Sequence, residues 1–307
     1  FIDERMTRTQ DGSGYGVAVA KRGRCAPMAQ AKGAVACLIR SVGTDDNRFA
    51  HQGGNSRQRD GAHLPAASLA PADADVLAYA LARGPARVRL QIEADFRDNA
   101  PSGNVLAEIP GREKANEIVL ATAHLDSWDL GYGAIDDGAG VAIITAAAKL
   151  IRDLPRRPRR TIRIFLAGSE EIGGLGGEAY AAAHHDDTHI IAAESDFGAD
   201  RIWRMQTGFG AGAASYTRAL QLQLAPLGVD PSNGRTEDAG TDIDPLREAG
   251  VPVISLDQDG TRYFDAHHTA NDTLARIDPA QLRQNVAAWA VFLYLAAETD
   301  WDFRKAQ

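Results

Sequence analysis

Residues 117–140 read EIVLATAHLDSWDLGYGAIDDGAG, and this stretch decides the fold. Its first part is an apolar run with several β-branched residues, which predicts a buried strand over residues 117–123. Its second part carries glycines and an acidic pair, and it leads into residues 137–154, where apolar positions recur with helical spacing. A strand that passes through a loop into a helix is the repeating unit of an α/β protein.

The same alternation continues on both sides of this unit. Further strands are predicted at residues 105–109, 161–167, 189–193 and 251–256, and further helices at residues 171–185, 213–227 and 279–297. The last helix begins with a proline, which is favoured at a first helical position. Strands that alternate with helices predict a three-layer α/β domain with a central mixed, largely parallel sheet. We expect this domain to occupy residues 104–307.

The first 103 residues differ in composition, because polar and turn-forming residues dominate stretches such as residues 43–63. Short elements are predicted around them: a helix at 28–32, a strand at 34–42, a helix at 71–84 and an alternating strand at 86–93. Residues 97–103 have the composition of a linker. These features predict a smaller α/β or β-rich module appended to the main domain.

Bulk composition excludes several classes of protein. Hydrophobic residues make up 44% and charged residues 24% of the 307 positions, as in ordinary globular chains. No apolar run is long enough to span a membrane. The formal net charge of −8 argues against nucleic acid as a partner. The basic run PRRPRR at residues 155–160 lies between a predicted helix and a predicted strand, so we interpret it as a solvated connection.

The two cysteines, Cys25 and Cys37, cannot build a disulfide framework or a cysteine-type zinc site. Cys37 lies in an apolar run, which favours a buried core residue. A single bridge between the two cysteines stays open as the alternative.

Polar side chains gather where the predicted strands end, and a pair of aspartates begins the helix after residues 117–123. These side chains are His124, Asp136, Asp137, Glu170, Glu171, Asp196, His267 and His268. Because ligands of open α/β sheets bind beyond the carboxyl ends of the strands, we expect these side chains to converge. Clustered carboxylates repel one another unless a cation neutralises them, and imidazole with carboxylate is a ligand set that suits zinc.

Each of these residues also has a structural interpretation. Either aspartate alone is better explained as a helix N-cap, the paired glutamates can be a solvated helix start, and a single histidine can be an ordinary polar residue. Their joint occurrence at one sheet edge is what favours a metal site. Two histidines and three carboxylates can serve two metals if one carboxylate bridges them, and two metals roughly 3.5–4 Å apart can activate one water.

Two further carboxylates have roles that such a site would need. Glu170 adjoins the predicted ligand Glu171, but its side chain points in a direction of its own. It can therefore take a proton from the attacking water. Asp126 lies two residues after His124 and on the same side of the strand, so it can orient the imidazole.

Four strings carry a family resemblance: HLDSWDLGYGAIDDGAG (residues 124–140), AGSEEIGGLGG (167–177), ESD (194–196) and HHTANDT (267–273). In order and spacing they resemble the M28 family of metallopeptidases. The resemblance covers residues 104–307, as an M28-type catalytic domain. It extends more weakly over residues 1–103, which resemble part of the protease-associated insert domain of these enzymes.

The resemblance implies a role for each residue of the site. His124 and His268 would each bind one metal, Asp136 would bridge the two, Glu171 and Asp196 would complete the ligand set, and Glu170 would be the general base. Asp126 and Asp272 would support the ligands, and Thr241, Asp242 and Tyr263 are candidates for contact with the substrate. Arg201, Arg204, Arg235 and Arg262 are candidates for binding a substrate carboxylate.

The function that the resemblance implies is a zinc-dependent exopeptidase with two Zn²⁺ per chain. It would hydrolyse dipeptides or short peptides with free termini through a metal-bridging water that Glu170 activates. Its partners would be a short peptide substrate and, as in some relatives, a second copy of the chain, rather than nucleic acid or a membrane. Relatives are usually secreted or periplasmic, so an extracytoplasmic location is expected.

Two other functions stay open. One is acyl transfer on the same scaffold, as in glutaminyl cyclases, whose sites usually hold one zinc. The other is a non-catalytic, receptor-like relative in which ligands have been replaced. Every ligand position and the base position are filled here, which favours an active enzyme. The glycine-rich strings GSGYG and GGLGG lack the spacing of phosphate-binding loops, so a nucleotide-dependent enzyme fits poorly.

Overall fold

The computed structural model describes residues 1–54, 64–93, 100–209, 213–236, 240–301 and 303. Parts of two predicted stretches, at residues 43–63 and 97–103, lie outside these residues, and so do residues 237–239, just before the candidate substrate contacts Thr241 and Asp242. The chain divides into two compact units. The first comprises Phe1–Pro101, Trp128–Tyr132 and Gly260–Asp272, and the second comprises Ser102–Ser127, Gly133–Asp259 and Thr273–Gln307. The family relationship of residues 1–103 to an insert domain stays a prediction.

The first unit contains two helices and a short parallel sheet within its described part. These elements are α1 (Ser13–Ala31), β1 (Cys37–Arg40), β2 (Ala66–Leu69) and α2 (Pro71–Arg83), and β1 pairs in parallel with β2. Cys25 of α1 and Cys37 of β1 form a disulfide, packed against Ile39 in a small core. The disulfide decides between the two alternatives that the sequence left open for these cysteines.

Two predictions for the first unit differ from the structure. Residues 28–31 are helical, as predicted, but they are only the end of α1, which begins at Ser13 and has low intrinsic helix propensity at its start because of Gly14 and Gly16. The strand expected at residues 86–93 is absent from the described part. Those residues are exposed, and an alternating pattern makes no strand without a neighbour to pair with.

The second unit is built on a four-stranded mixed sheet. Its strands are β3 (Val105–Ile109), β4 (Lys114–His124), β5 (Arg160–Ala167) and β6 (Thr188–Glu194), in the order β3-β5-β4-β6. Strand β4 is parallel to both β5 and β6, and β3 is antiparallel at one edge. Strand β4 is buried from Ile118 onward, and nearly all of β5 and β6 is buried, as expected for a sheet covered on both faces. The predicted central mixed, largely parallel sheet is confirmed.

A second sheet adds β7 (Ile202–Thr207), β8 (Asp230–Arg235) and β9 (Ile254–Gln258), in the order β8-β7-β9. A parallel bridge between Ala192 and Val253 connects β6 to the segment that leads into β9. Strands β7 and β8 were not predicted. The sequence of β8, DPSNGR, consists largely of residues with low strand propensity, so its pairing with β7 rather than its own preference makes it a strand.

Helices cover both faces of the sheet in the second unit. They are α3 (Ala139–Arg152), α4 (Leu175–Ala183), α5 (Ala214–Leu224), α6 (Asp244–Glu248) and α7 (Pro279–Glu298). Val119 and Ala121 of β4 belong to a large buried cluster with residues of α3, α5 and α7, whereas Leu120 packs with Tyr180 of α4 and Leu246 of α6. Because successive side chains of a strand point to opposite faces, the sheet lies between two helical layers.

No helix within the described ranges combines the length and the apolar composition that a membrane span requires.

Arg160, the last residue of the basic run, is buried at the start of β5. Its guanidinium lies 2.5 Å from Glu117, and it donates to the carbonyls of Ala296, Thr299 and Trp301 at 3.0, 2.7 and 2.7 Å. These carbonyls include groups at the end of α7 that the helix itself leaves without a donor. The interpretation of the run as a solvated connection is therefore wrong for Arg160.

We expect Arg160→Met to lower the free energy of unfolding by about 3–5 kcal/mol, because it leaves a carboxylate and helix-end carbonyls without their buried partner. Urea denaturation measures this change. Arg156→Met is the matched control, since Arg156 is 72% exposed beside Glu298 and exposed ion pairs contribute little. Equal stability of the two variants would contradict the assigned role of Arg160.

Candidate metal centre

The carboxyl end of β4 places His124 inside the second unit. Its backbone N–H donates to Asp137 Oδ2 at 3.1 Å, and its Nδ1 donates to the backbone carbonyl of Asp126 at 2.8 Å. Because Nδ1 is engaged in this way, Nε2 is the ring atom that can bind a metal. Nε2 lies 3.2 Å from Asp136 Oδ1 and 3.4 Å from Asp196 Oδ1.

The acidic pair lies in the turn Ala134–Gly138, between β4 and α3. Asp136 and Asp137 are both buried, and the peptide bond between them is cis. The Asp137 carboxylate also accepts the N–H of Gly140 at 3.0 Å, so it joins the start of α3 to the end of β4. Asp136 is the member of the pair whose carboxylate faces His124 Nε2.

The ligand atoms of four predicted metal ligands converge here. Those of His124, Asp136 and Glu171 lie within 4.8 Å of one another, and so do those of His124, Asp137 and Asp196. Imidazole nitrogen with several carboxylate oxygens is a donor set that fits zinc. The fifth predicted ligand, His268, belongs to the first unit.

The electrostatics of the cluster favour a bound cation. Burial lowers the pKa of His124, but hydrogen bonds with Asp136 and Asp196 outweigh burial, so this pKa lies well above its usual range. Burial and the charge of Asp196 raise the pKa of Asp137 well above its usual value. Both shifts express an excess of buried negative charge, which a divalent cation would compensate.

Glu170 and Glu171 lie in a turn between β5 and α4. A helix is predicted from residue 171, but α4 begins only at Leu175, because the chain turns through Gly173 and Gly174 with positive φ angles. The position of the helix start therefore leaves both glutamates outside regular structure, close to the end of β5.

The carboxylate of Asp126 holds this turn. Its Oδ1 accepts the backbone N–H of Glu170 at 3.0 Å, and its Oδ2 accepts the backbone N–H of Glu171 at 3.2 Å. The nearest Asp126 carboxylate oxygen is 3.8 Å from His124 Nδ1, farther than the Asp126 carbonyl. The side chain of Asp126 is thus bonded to the glutamate turn, and its main chain is bonded to the histidine.

The surroundings of Glu170 suit a proton carrier. Burial and the charge of Asp196 raise the pKa of Glu170 to about 8, although the positive charge of His124 and a hydrogen bond from Thr241 act in the opposite direction. A group whose pKa is close to neutral can both take and return a proton at physiological pH.

The predicted substrate contacts Thr241 and Asp242 lie in the turn Thr241–Ile243 and differ in exposure. Thr241 is exposed, whereas Asp242 is fully buried and donates its backbone N–H to Glu194 Oε2 at 2.9 Å. Burial raises the pKa of Asp242 to about 7, and burial with the Asp242 charge raises that of Glu194 well above its usual value. No role was predicted for Glu194, although it lies within the string ESD.

Two of the candidate arginines have partners of their own. Arg204 pairs with Asp257 at 2.7 Å, and Arg201 donates to the carbonyl of Leu227 at 3.0 Å. The side chain of Arg235 lies outside the described part of the structure.

The remaining predicted residues lie in the first unit. Tyr263 begins the turn Tyr263–Asp265, and both Tyr263 and Asp272 are buried. His268 donates from Nδ1 to the carbonyl of Gln52 at 3.1 Å, which leaves Nε2 as the atom suited to a metal. The ring of His267 stacks on that of His268 with centroids 3.5 Å apart.

A buried cluster of imidazole and carboxylates beyond the carboxyl ends of a largely parallel sheet is typical of α/β metalloenzymes. Within that class, the chain belongs to peptidase family M28, whose family model matches residues 104–293. The family consists of metallopeptidases, so the predicted resemblance is confirmed.

Individual relatives agree with this assignment. Carboxypeptidase Q of Xenopus laevis is 38% identical over 290 residues, which are 93% of this chain and 61% of that protein. The chain thus spans about three fifths of the length of this curated relative. The crystal structure of a peptidase M28 precursor from Shewanella amazonensis SB2B matches with a TM-score of 0.91 and 45% identity, over 99% of this chain and 69% of that one.

A more distant structure shares the fold. The zinc aminopeptidase of Bacillus subtilis matches with a TM-score of 0.63 and 19% identity, over 90% of this chain and 69% of that one.

Proposed function

We propose that the chain is a zinc-dependent exopeptidase that hydrolyses dipeptides or short peptides with free termini. The observation that carries this proposal is the convergence of donor atoms from His124, Asp136, Glu171 and Asp196 in a member of a metallopeptidase family. The names of its relatives, a carboxypeptidase and a zinc aminopeptidase, support an exopeptidase and support zinc.

Two Zn²⁺ per chain are proposed, with His268 of the HHTANDT string as the remaining ligand. The residues of the second unit fit the metal by their chemistry and burial, and a bound cation would compensate the negative charge among them. Bound zinc would polarise the scissile carbonyl and lower the pKa of the attacking water.

The protein's own groups would carry the proton. Glu170 takes a proton from the attacking water and gives it to the amine that leaves, which is the usual role of a carboxylate base in peptide hydrolysis. Asp126 holds the backbone of Glu170 and Glu171, so the base keeps its direction while Glu171 keeps its place in the donor set. Asp137 fixes the backbone of His124.

The proposed partner is a short peptide, rather than nucleic acid or a membrane, and the proposed location is extracytoplasmic. The disulfide between Cys25 and Cys37 supports that location, because disulfides persist mainly in oxidising compartments. The family resemblance also allows a homodimer, which a molar-mass measurement in solution decides.

We expect the purified protein to hydrolyse dipeptides, to lose this activity in a chelator and to regain it with zinc. A dipeptide library with free and blocked termini then shows which terminus the enzyme requires. Cyclisation of N-terminal glutamine with one zinc per chain, and without hydrolysis, would favour acyl transfer instead. Zinc binding without turnover of either kind would favour a receptor-like protein.

A further inference from the structure

We propose that His51 is a positioning residue for His268, an inference that rests on the proposed function because it takes His268 as a metal ligand. Two segments of the first unit run side by side: residues 44–52, here called the bracing segment, and residues 264–268, here called the ligand loop. Thr44 donates its N–H to the carbonyl of Phe264 at 3.0 Å and its hydroxyl to Asp265 at 2.8 Å. The bracing segment thus meets the ligand loop at its beginning.

His51 is fully buried, and its ring joins the bracing segment to the ligand loop. Its Nδ1 lies 2.6 Å from the carbonyl oxygen of His267, and its Nε2 lies 2.6 Å from Asp45 Oδ1. A backbone carbonyl can only accept, so Nδ1 donates to the His267 carbonyl, and Nε2 lies against the Asp45 carboxylate. The chain is shaped around this ring, since a Cβ at Gly43 would collide with it.

Gln52, which follows His51, forms two hydrogen bonds with His268. Gln52 donates its N–H to the carbonyl of His268 at 3.0 Å, and it accepts from His268 Nδ1 at 3.1 Å. Arg22 donates to the same Gln52 carbonyl and holds it in place. The second of these bonds keeps the proton of His268 on Nδ1, so a metal must bind through Nε2.

His268 needs this support because its backbone has a φ of 59°, a region that residues other than glycine rarely adopt. A loop in that conformation keeps it only where surrounding contacts hold it. The bonds from His51 to the carbonyl of His267 and from Gln52 to the carbonyl of His268 act directly on either side of the ligand's Cα. His51 therefore acts on the direction of the His268 ring through the backbone carbonyl of His267.

A merely structural role for His51 predicts a different result. It would make His51 equivalent to any other buried polar residue of the same unit, and Arg40 provides that comparison. Arg40 is buried and binds Asp3 and Asp75 at 2.6 Å and the carbonyl of Pro71 at 2.8 Å, so its bonds go to residues outside the ligand loop.

The test is a competitive zinc titration of the full chain with a chromogenic chelator, alongside the visible spectrum of the cobalt-substituted protein. We expect His51→Ala to weaken the binding of one zinc by about 10–100-fold, the usual effect of losing a group that orients a ligand. The zinc that weakens should be the one that weakens in His268→Ala. Asp45→Asn should give a smaller loss at the same site, and Arg40→Met should lower the denaturation midpoint but leave zinc affinity unchanged.

Wild-type zinc affinity in His51→Ala, or an equal loss in Arg40→Met, would overturn the positioning role while leaving the proposed function intact. Wild-type zinc affinity in His268→Ala would instead overturn the ligand assignment, and this inference with it. If His51→Ala does not fold, Asp45→Asn gives the answer, because unchanged zinc binding in that folded variant also contradicts the proposal.

Discussion

Glu170→Gln should keep its zinc and lose turnover by a factor of about 10²–10⁴, the typical contribution of a positioned acid–base group. Glutamine has nearly the shape of glutamate but cannot take a proton from water at neutral pH. The ligand atoms of the cluster come from other side chains, so metal content should stay at the wild-type level. Rates on a dipeptide and the zinc content of the same preparation measure both parts of the prediction.

The pH dependence gives a second readout of the same residue. A general base works in its ionised form, so kcat/KM should rise as pH increases through the pKa of Glu170. That pKa is raised to about 8, mainly by burial and by the charge of Asp196. Bound zinc adds positive charge nearby and lowers it, so the rise should be centred below pH 8 in the zinc enzyme. The residual activity of Glu170→Gln should lack this rise.

Glu178→Gln is the matched control, because Glu178 is an exposed residue in the first turn of α4, close in sequence but outside the cluster. It should retain wild-type activity and pH profile. Full activity in Glu170→Gln would contradict the assigned base, and loss of zinc in that variant would show that Glu170 is a ligand instead.

The meeting of these side chains at one edge of the sheet was predictable, because it follows from the order and direction of the strands. His124 ends β4, Glu170 and Glu171 follow β5, and Asp196 follows β6, so parallel pairing of these strands brings the side chains to one edge. Apolar strands between helical segments were enough to predict that pairing. The roles of individual ligands came from the family resemblance and stay predictions.

Other features depend on contacts that local sequence does not encode. Strand β8 exists through its pairing with β7, against the preferences of its own residues. His51 is separated by 216 positions from the His267 carbonyl that it binds, so no spacing or motif could have revealed it. The polar composition of its segment indicated only a loop.

Asp126 also makes contacts that its local sequence did not predict, although its partners are closer in the chain. Its position two residues after His124 predicted that its side chain would orient the imidazole. In the structure the main-chain carbonyl makes that bond, and the carboxylate spans the N–H groups of Glu170 and Glu171. This difference arises from the turn before α4, which presents two adjacent N–H groups to one carboxylate.

Asp126→Asn is therefore expected to lower kcat by about 10–100-fold, as for other groups that hold a reactive residue in place. An amide has one acceptor oxygen, so one of the two N–H groups would face an NH₂ donor and the turn would shift. KM should change little, because the substitution alters none of the candidate substrate contacts. Steady-state kinetics on one dipeptide separates the two parameters.

A double-mutant cycle with Glu170→Gln decides how Asp126 acts. If Asp126 acts through the base, Asp126→Asn should cost little further activity once Glu170 is glutamine, because residues that work as a unit are strongly non-additive. Multiplicative losses would show that Asp126 contributes by another route.

Zinc affinity identifies that route. The bond to His124 Nδ1 comes from the Asp126 main chain, which the substitution preserves, so zinc affinity should fall far less than kcat. A loss of zinc affinity as large as the loss of kcat would mean that the carboxylate governs the metal ligands. In that case the orientation of His124 predicted from the sequence would be the better description of Asp126, despite the 3.8 Å between that carboxylate and the ring.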